Sequence, residues 1–315
     1  MREIGGYLGM EQLGTASYYP GLLAVNTGRN GLAYLIRARQ IKKLYIPFFL
    51  CDSVAGVCAR EACPVEYYCV DADFLPVFPE NPDPDGWLYV VNYYGQISNA
   101  RIAEMKSRWG KIIVDNVQAF FQKPVPGVDT IYSCRKFFGV PDGAYLATDA
   151  DPIPLERDVS KDRMKHILGR FETDCASDYY RDFKENDHSF RELPLMAMSR
   201  LTENLLSGLD YEGIRQKRNE NWMQLHAVLG NHNRLSLHTP DGPYMYPYYC
   251  ENGMQIKKKL AEKKIYIPTL WPNVLEAEEN ELEKDYTRNI LPLPVDQRYG
   301  LADMTRLLKA LEECK

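Results

Sequence analysis

The chain has 315 residues, of which 45% are hydrophobic and 26% charged, and its formal net charge is −5. This length and composition are typical of a globular protein with two domains, or with one large core and a smaller appendage. No Lys/Arg-rich run indicates nucleic-acid binding, and no apolar stretch approaches the roughly 20 residues of a membrane span. The first residues lack the basic segment and apolar core of a secretory signal. We therefore expect a cytoplasmic protein without nucleic-acid or membrane partners.

The first half of the chain alternates between two patterns, helical spacing of apolar residues and short apolar runs of strand length. Such alternation predicts a mostly parallel sheet with helices on both faces, that is, a three-layer α/β domain. Continuous apolar strands agree with this, because parallel strands are buried on both sides. A proline-rich loop is expected over 73–86. Helices are predicted over 28–41, 51–62 and 99–110, and strands over 42–50, 65–71, 87–95, 111–120, 129–134 and 143–149.

From about residue 155 the sequence becomes polar and helical, and 193–230 contains one or two long helices. The remaining pattern predicts a small C-terminal α+β domain. We place the large domain at 1–210 and the small domain at 211–315. Within the small domain, helices are predicted over 254–265 and 301–314, and strands over 266–271 and 289–297.

The cysteines are not arranged as a metal site. None are paired as C-x-x-C, and no histidine lies near the cluster of four, whereas zinc needs closely spaced thiolates or imidazoles. We therefore expect reduced, mostly buried thiols and no metal. The cysteines are at positions 51, 58, 63, 69, 134, 175, 250 and 314.

The stretch NTGRNGLAYL, residues 26–35, is a Thr-Gly turn that leads into a helix. Free N–H groups and the helix dipole at such an N-terminus attract an anion, and glycine allows the anion to approach. Capped helix starts with glycine are also common. The stretch alone leaves two interpretations open, a phosphate site or an ordinary helix start.

The stretch IIVDNVQAF places Asp115 at the end of a buried strand. In doubly wound sheets, ligands collect at the carboxyl ends of strands, where an acidic side chain can meet them. The alternative is that Asp115 is the N-cap of a helix, with Gln118 completing a capping box three residues later.

The stretch IYSCRKFFGVPDGAYL, residues 131–146, places Lys136 among apolar residues directly after a strand. On the predicted sheet, Lys136 lies on the same ligand side as Asp115. A lysine in apolar, partly dry surroundings has a lowered pKa and acts as a nucleophile toward carbonyl groups. The alternative is a lysine at a strand end whose stem packs on apolar groups while its amine reaches water.

The order of these features is informative, because a phosphate site, a strand-end aspartate and then a lysine form the layout of a fold type I pyridoxal-phosphate enzyme. The chain resembles the DegT/DnrJ/StrS aminotransferases, which mostly act on keto-sugars attached to nucleotides. The resemblance spans residues 20 to 310. It rests on the stretches NTGRNGLAYL, IPFFLCDSVAGV, VNYYGQISN, IIVDNVQAF, YSCRKFFGVPDGAYL and ILPLPVDQ.

This resemblance implies a fold type I large domain, the cofactor pyridoxal 5′-phosphate and a homodimer. It implies a ping-pong transfer of an amino group from a glutamate-like donor to a keto-sugar acceptor, via a Schiff base on Lys136, which then also moves a proton. Asp115 would pair with the pyridinium nitrogen, which keeps the ring able to accept electrons. Gln118 would lie against the ring and its phenolic oxygen. The family positions that hold the phosphate match Gly28, Arg29 and Ser133, with Asn30 as a companion.

Three positions depart from the family pattern. Cys51 stands where the family usually has an aromatic ring stacked on the cofactor; it can make a soft sulfur contact there, and Phe49 or a tyrosine could supply the ring. Ser133 lies two residues closer to Lys136 than is common in the family. Ser189 stands where the family has an asparagine that reaches the phosphate of the neighbouring subunit.

Two other functions stay open on the sequence. A carbon–sulfur lyase or desulfurase on the same scaffold needs a mobile reactive cysteine, and Cys175 is the only nearby candidate after Lys136. The second possibility is a chain that has lost catalytic activity and serves as a binding or partner subunit. The acceptor is expected to contact the loops at 172–192 and 241–252.

Overall fold

A computed structural model describes residues 4–77, 83–276 and 280–314 of the chain. Within the described residues, eight strands form one sheet, in the spatial order β1-β8-β7-β6-β5-β2-β3-β4. These strands are β1 (Leu23–Val25), β2 (Leu44–Pro47), β3 (Val65–Val70), β4 (Pro76–Val77), β5 (Trp87–Val91), β6 (Ile112–Asp115), β7 (Asp129–Ser133) and β8 (Ala144–Ala147).

The sheet is mostly parallel, as predicted. Its five central strands β7, β6, β5, β2 and β3 are parallel to one another. The exceptions lie toward the edges, where β4 is antiparallel to β3, and β8 is antiparallel to both β7 and β1. Because β8 is antiparallel to both of its neighbours, β1 runs in the same direction as the central strands.

This strand direction brings the predicted site residues to one edge of the sheet. Asp115 is the last residue of β6, and Ser133 is the last residue of β7. Gly28 follows β1 and Cys51 follows β2. Since the carboxyl ends of parallel strands meet at the same edge, residues far apart in sequence become neighbours there.

Helices cover the sheet, and both of its faces are buried. Adjacent residues of β7 lie in different apolar clusters: Ile131 packs with Leu32 of the first helix, whereas Tyr132 packs with Phe120 and Phe137. A strand whose alternate side chains enter two separate cores is the middle layer of three. The helices of this part are α1 (Gly28–Ala38), α2 (Asp52–Arg60), α3 (Asn99–Trp109), α4 (Lys165–Thr173), α5 (Tyr180–Ser189) and α6 (Arg200–Ser207).

The C-terminal part has a second sheet and a core of its own. Two antiparallel strands pair from Tyr249 opposite Ile290 to Met245 opposite Pro294. Trp222, which is fully buried, packs with apolar side chains of both strands and of the last helix. A small α+β unit is therefore confirmed, while the boundary after residue 210 stays a prediction. Its elements are α7 (Tyr211–Leu229), β9 (Met245–Tyr249), α8 (Gly253–Glu262), α9 (Glu281–Asn289), β10 (Ile290–Pro294) and α10 (Leu301–Cys314).

One predicted strand is wrong. Residues 266–271 form neither strand nor helix, and the partner of β10 is β9, which lies in a stretch not assigned to a strand. Pro247 lies opposite Pro292 in this pair. Prolines are tolerated because both strands of a two-stranded sheet are edges. The predicted loop at 73–86 includes β4, and its residues 78–82 lie outside the described residues.

The cysteines are free of disulfides, and those at 58, 63, 134, 250 and 314 are buried, which agrees with the prediction of mostly buried thiols. Within residues 4–77, 83–276 and 280–314, no helix combines the length and apolar character needed to cross a membrane. In the same ranges, no group of three His, Cys, Asp or Glu side chains is placed to hold a metal ion.

Gly143 fixes the path of the chain between Lys136 and β8. Its N–H donates to the carbonyl of Asn26 at 2.6 Å, and its own carbonyl accepts from the N–H of Cys134 at 3.0 Å. The backbone angle φ is +107°, which side-chain-bearing residues rarely adopt. A Cβ atom here would lie 2.9 Å from Cγ2 of Thr202. The turn after Lys136 therefore needs glycine for two reasons, conformation and space.

We expect Gly143→Ala to lower the free energy of unfolding by about 3 kcal/mol or more, since strain and crowding add. The matched control is Gly127→Ala, because Gly127 also has a positive φ, of +71°, but has open space around its Cα. That change should cost about 1 kcal/mol. Urea unfolding of both variants measures the difference. Equal losses would show that the contact with Thr202 is not important.

Candidate active site

A cavity of about 830 Å³ opens at the carboxyl edge of the large sheet, between this sheet and the C-terminal unit. Its volume lies in the range of small-molecule binding sites. All but one of the eight residues proposed from the sequence line it. They are Gly28, Arg29, Cys51, Asp115, Gln118, Ser133 and Lys136.

Lys136 ends a single 3₁₀ turn that follows β7 directly. The turn is closed by the N–H groups of Phe137 and Phe138, which both donate to the carbonyl of Cys134. The Lys136 side chain is accessible through the cavity that it lines. Burial among protein atoms lowers the pKa of its amine, and the negative charge of Asp115 opposes this shift. The amine is thus closer to its neutral, nucleophilic form than a lysine on the outer surface.

Asp115 is held rigidly at the bottom of the cavity. One carboxylate oxygen accepts from the Tyr89 hydroxyl at 2.7 Å and the other from the N–H of Val117 at 2.9 Å. Burial raises the pKa of Asp115, whereas Lys136 and these two donors act in the opposite direction. No helix begins after Asp115, so the helix N-cap interpretation of this residue is wrong.

Gln118 is anchored through its side-chain oxygen, which accepts from the N–H of Tyr94 at 2.8 Å. Tyr94 has a left-handed backbone, with φ +54°, which directs its N–H toward Gln118. No described residue accepts from the amide nitrogen of Gln118. Gln118 therefore offers a hydrogen-bond donor to the cavity.

The predicted phosphate seat is assembled at the start of α1. The Thr27 hydroxyl caps this helix by accepting from the N–H of Asn30. The N–H groups of Gly28 and Arg29 have no acceptor among the described residues. A Cβ atom on Gly28 would lie 3.9 Å from Cβ of Ser133, whose hydroxyl also has no described partner. Two free N–H groups and a hydroxyl thus lie together at a helix N-terminus, which suits an anion.

Asn30 does not face the cavity. Its amide nitrogen donates to the side chain of Asn26 at 2.9 Å and to the carbonyls of Leu193 and Pro194. Its oxygen accepts from Arg60 at 2.7 Å. Asn30 is fully buried, and its polar atoms connect α1 to other parts of the large domain.

Cys51 lines the cavity as predicted, but Phe49 does not. Phe49 is 1% exposed and packs against Phe74, Tyr93 and Trp271 in an aromatic cluster. Its ring is therefore unavailable for stacking on a ligand in the cavity. Aromatic side chains that do line the cavity include Tyr89, Tyr244 and Trp271.

Ser189 and Cys175 lie away from the cavity lining. The Ser189 hydroxyl donates to the carbonyl of Asn186 at 2.7 Å, within α5. Arg191, two residues later, lies 3.8 Å from Asp52. Cys175 follows α4 and its sulfur lies 3.2 Å from the Ser177 hydroxyl.

Several cavity residues carry no signal that sequence reasoning could use. Arg218 of α7 is fully buried, and it donates to the carbonyl of Phe137 at 3.1 Å and to that of Pro243 at 2.8 Å. Gln297 donates to the same Phe137 carbonyl at 2.8 Å and accepts from Arg218. The C-terminal unit thus holds the residue next to Lys136. Other lining residues not proposed from the sequence are Arg135, His166, Arg170 and Arg298.

Tyr89 could have been found. It lies on β5, two residues before Val91, which is paired with Asp115 in the parallel register. Side chains two residues apart on a strand point to the same face, so the hydroxyl of Tyr89 reaches the neighbouring strand end.

Comparison with known proteins finds solved structures with the same fold. No protein-family model matches the sequence, and no curated protein matches it. Among solved structures, NtdA from Bacillus subtilis with bound cofactor PMP superposes with a TM-score of 0.67 at 14% identity, over 95% of this chain and 73% of that one.

A DegT/DnrJ/EryC1/StrS aminotransferase from Brucella abortus gives a TM-score of 0.62 at 15% identity, over 93% of this chain and 85% of that one. The sugar aminotransferase CalS13 from Micromonospora echinospora gives 0.61 at 13% identity, over 93% and 87%. The protein therefore has the fold type I architecture. In particular, the likeness to the DegT/DnrJ/StrS aminotransferases indicated by the sequence motifs is confirmed for the fold.

We expect Lys136 to react with a small aldehyde at lower pH than an ordinary lysine. With cyanoborohydride as reductant, the midpoint of the labelling rate against pH should lie below 10.5, the ordinary pKa, because burial disfavours the ammonium. Peptide mass spectrometry measures the labelling. Asp115→Asn should move the midpoint still lower, because Asp115 stabilises the ammonium.

The control for this measurement is Asp151→Asn, which removes the same charge from an exposed position outside the cavity. It should leave the midpoint in place. A midpoint at or above 10.5, or equal behaviour of the two variants, would contradict the coupling between Asp115 and Lys136.

Proposed function

We propose that this protein is a pyridoxal 5′-phosphate-dependent aminotransferase that moves an amino group from a glutamate-like donor to a keto-sugar, by a ping-pong mechanism. The observation that carries the proposal is that Lys136 and Asp115 face one cavity with free anion-binding N–H groups. The comparisons support it, since two of the similar structures are described as aminotransferases, one of them as a sugar aminotransferase, and a third is described with bound PMP.

The residues present fit such a cofactor. Asp115 supplies the negative charge that a pyridinium nitrogen needs, and its position is fixed by two donors. Gln118 offers an amide N–H to a phenolic oxygen. The start of α1 and Ser133 offer donors to a phosphate. When bound, the cofactor supplies an aldehyde joined to an electron-accepting ring.

Lys136 has the properties of both a nucleophile and a proton carrier. Its lowered pKa makes the neutral amine available for attack on a carbonyl carbon. The same amine can accept a proton from a substrate carbon and deliver it elsewhere, since its pKa lies closer to neutral pH than that of a free lysine. The short turn that carries Lys136 is held by the backbone, so the amine stays near Asp115.

The wall of the cavity opposite the sheet suits a polar substrate. Arg218, Asp296, Gln297 and Arg298 line it together with Tyr244. Hydroxyl groups of a sugar can find both donors and acceptors there. We propose that the acceptor binds against this wall, in part through residues of the segment 241–252, which contains β9 rather than being a loop throughout.

The remaining expectations also stay proposals. A homodimer and a cytoplasmic location are proposed on the resemblance and on composition. Cys175, on which the lyase alternative depends, is not among the described residues that line the cavity.

The test is reconstitution of the purified protein with pyridoxal 5′-phosphate. We expect a yellow protein whose cofactor becomes fixed to Lys136 by borohydride, as peptide mass spectrometry would show. Lys136→Met should abolish fixation. The control Lys258→Met, an exposed position on α8, should retain it. Fixation to another lysine would show that Lys136 is the wrong residue.

Glutamate should then bleach the visible band and release 2-oxoglutarate from the reconstituted protein. Bleaching by an amino donor is the first half of a ping-pong transfer. A protein that binds cofactor but is not bleached by any amino acid would favour the decayed-subunit alternative over an aminotransferase.

A further inference from the structure

Two arginines converge on one carboxylate at the phosphate seat. Arg135 donates to the Asp187 carboxylate at 3.4 Å. Arg29 donates to the backbone carbonyl of Asp187 at 3.1 Å, and its guanidinium lies 3.6 Å from the same carboxylate. Both guanidinium groups lie over the Phe190 ring, at 4.2 Å for Arg135 and 5.9 Å for Arg29. Asp187 and Phe190 therefore hold two cations side by side, and Asp187 is the carboxylate that lies next to both of them.

Arg135 retains free hydrogen-bond donors on the cavity side. A guanidinium has five N–H groups, and the contact with Asp187 is the one hydrogen bond that Arg135 makes with described residues. No nitrogen of Arg135 is buried without a hydrogen-bond partner, so the N–H groups that do not contact Asp187 reach the cavity. Burial lowers the pKa of Arg135 to about 10, and Asp187 opposes this shift. A partly buried cation with free donors is a favourable place for an anion to bind.

The pair lies beside the groups already assigned to the phosphate seat. Arg29 belongs to the first turn of α1, next to Gly28, and a Cβ on Gly28 would lie 3.9 Å from Cβ of Ser133. Arg135 follows Ser133 by two residues in the shortened turn before Lys136. Two free N–H groups, a hydroxyl and two guanidinium groups thus surround one end of the cavity.

We propose that Arg135, together with Arg29, binds the phosphate group of the cofactor. This rests on the proposed function. It gives a reason for the two-residue shortening between Ser133 and Lys136, which places an arginine directly before the lysine. It also replaces the contact that the resemblance assigns to the neighbouring subunit, since the Ser189 hydroxyl is used within its own helix.

A phosphate fits this end better than a substrate carboxylate does. A phosphate monoester carries three acceptor oxygens and nearly two negative charges, which matches donors from several directions and two cations. Arginine binds such a group through two parallel N–H groups. A carboxylate has two oxygens in one plane and would leave the helix N-terminus or one arginine unused.

The experiment compares the affinities of pyridoxal 5′-phosphate and pyridoxal, which lacks the phosphate, by titration of the visible absorbance of full-length protein. Arg135→Met should weaken binding of pyridoxal 5′-phosphate about 10- to 100-fold. Its affinity for pyridoxal should not change. The affinity of Arg135→Lys for pyridoxal 5′-phosphate should lie between those of the wild-type protein and Arg135→Met, because lysine retains the charge but loses the bidentate geometry.

The matched control is Arg181→Met, which removes the same charge from an exposed position on α5 outside the cavity. It should leave both affinities unchanged. Inorganic phosphate should compete with pyridoxal 5′-phosphate in the wild-type protein and less well in Arg135→Met.

The outcomes separate this site from the proposed function. An equal loss of affinity for both aldehydes in Arg135→Met and Arg135→Lys would overturn the role of Arg135, because the phosphate would not be involved. If the wild-type protein binds neither aldehyde, the proposed function fails and the phosphate site with it.

Discussion

Asp115 and Lys136 form the interaction on which the site depends. Burial acts on both, raising the pKa of the acid and lowering that of the amine. Each charge opposes the shift of the other, which offsets part of the cost of removing two ionisable groups from water. The fold must therefore bring β6 and the turn after β7 together at one edge of the sheet. The parallel register between these strands does so.

The same edge collects every other group that we assign to the cofactor. β1 is not a neighbour of β6. It runs in the same direction as β6 because β8, which lies between β1 and β7 in the sheet, is antiparallel to both. Without this reversal, the start of α1 would lie at the opposite edge, far from Ser133. The antiparallel hairpin of β7 and β8 is thus as important for the phosphate seat as the parallel core. Gly143 makes that hairpin possible.

The sequence predicts the sheet and the two central residues because these depend on local signals. A buried parallel strand is a continuous apolar run, and Asp115 and Ser133 end such runs. The side-chain direction of Asn30 was not accessible in this way, because it depends on the contacts of α1 with the carbonyls of Leu193 and Pro194. The pairing of β9 was not accessible either, because it is recognisable only through β10, whose paired residues lie 41 to 49 positions later. The contacts of Arg135 depend on the position of α5, and no motif in the sequence indicates that α5 packs next to Arg135.

The buried guanidinium of Arg218 has a consequence for how this chain can change. With Gln297, Arg218 donates to the carbonyl of Phe137. Among the described residues no carboxylate forms an ion pair with it, and Asp296 acts on its charge only from a longer distance. If two residues were inserted between Ser133 and Lys136 to restore the longer spacing, this carbonyl would move, and the guanidinium would lose one of its acceptors while keeping the carbonyl of Pro243 and the side chain of Gln297. We therefore expect the length of the turn and the arginine of the C-terminal unit to be coupled. In a set of related sequences, the length of this turn would covary with the presence of arginine at position 218.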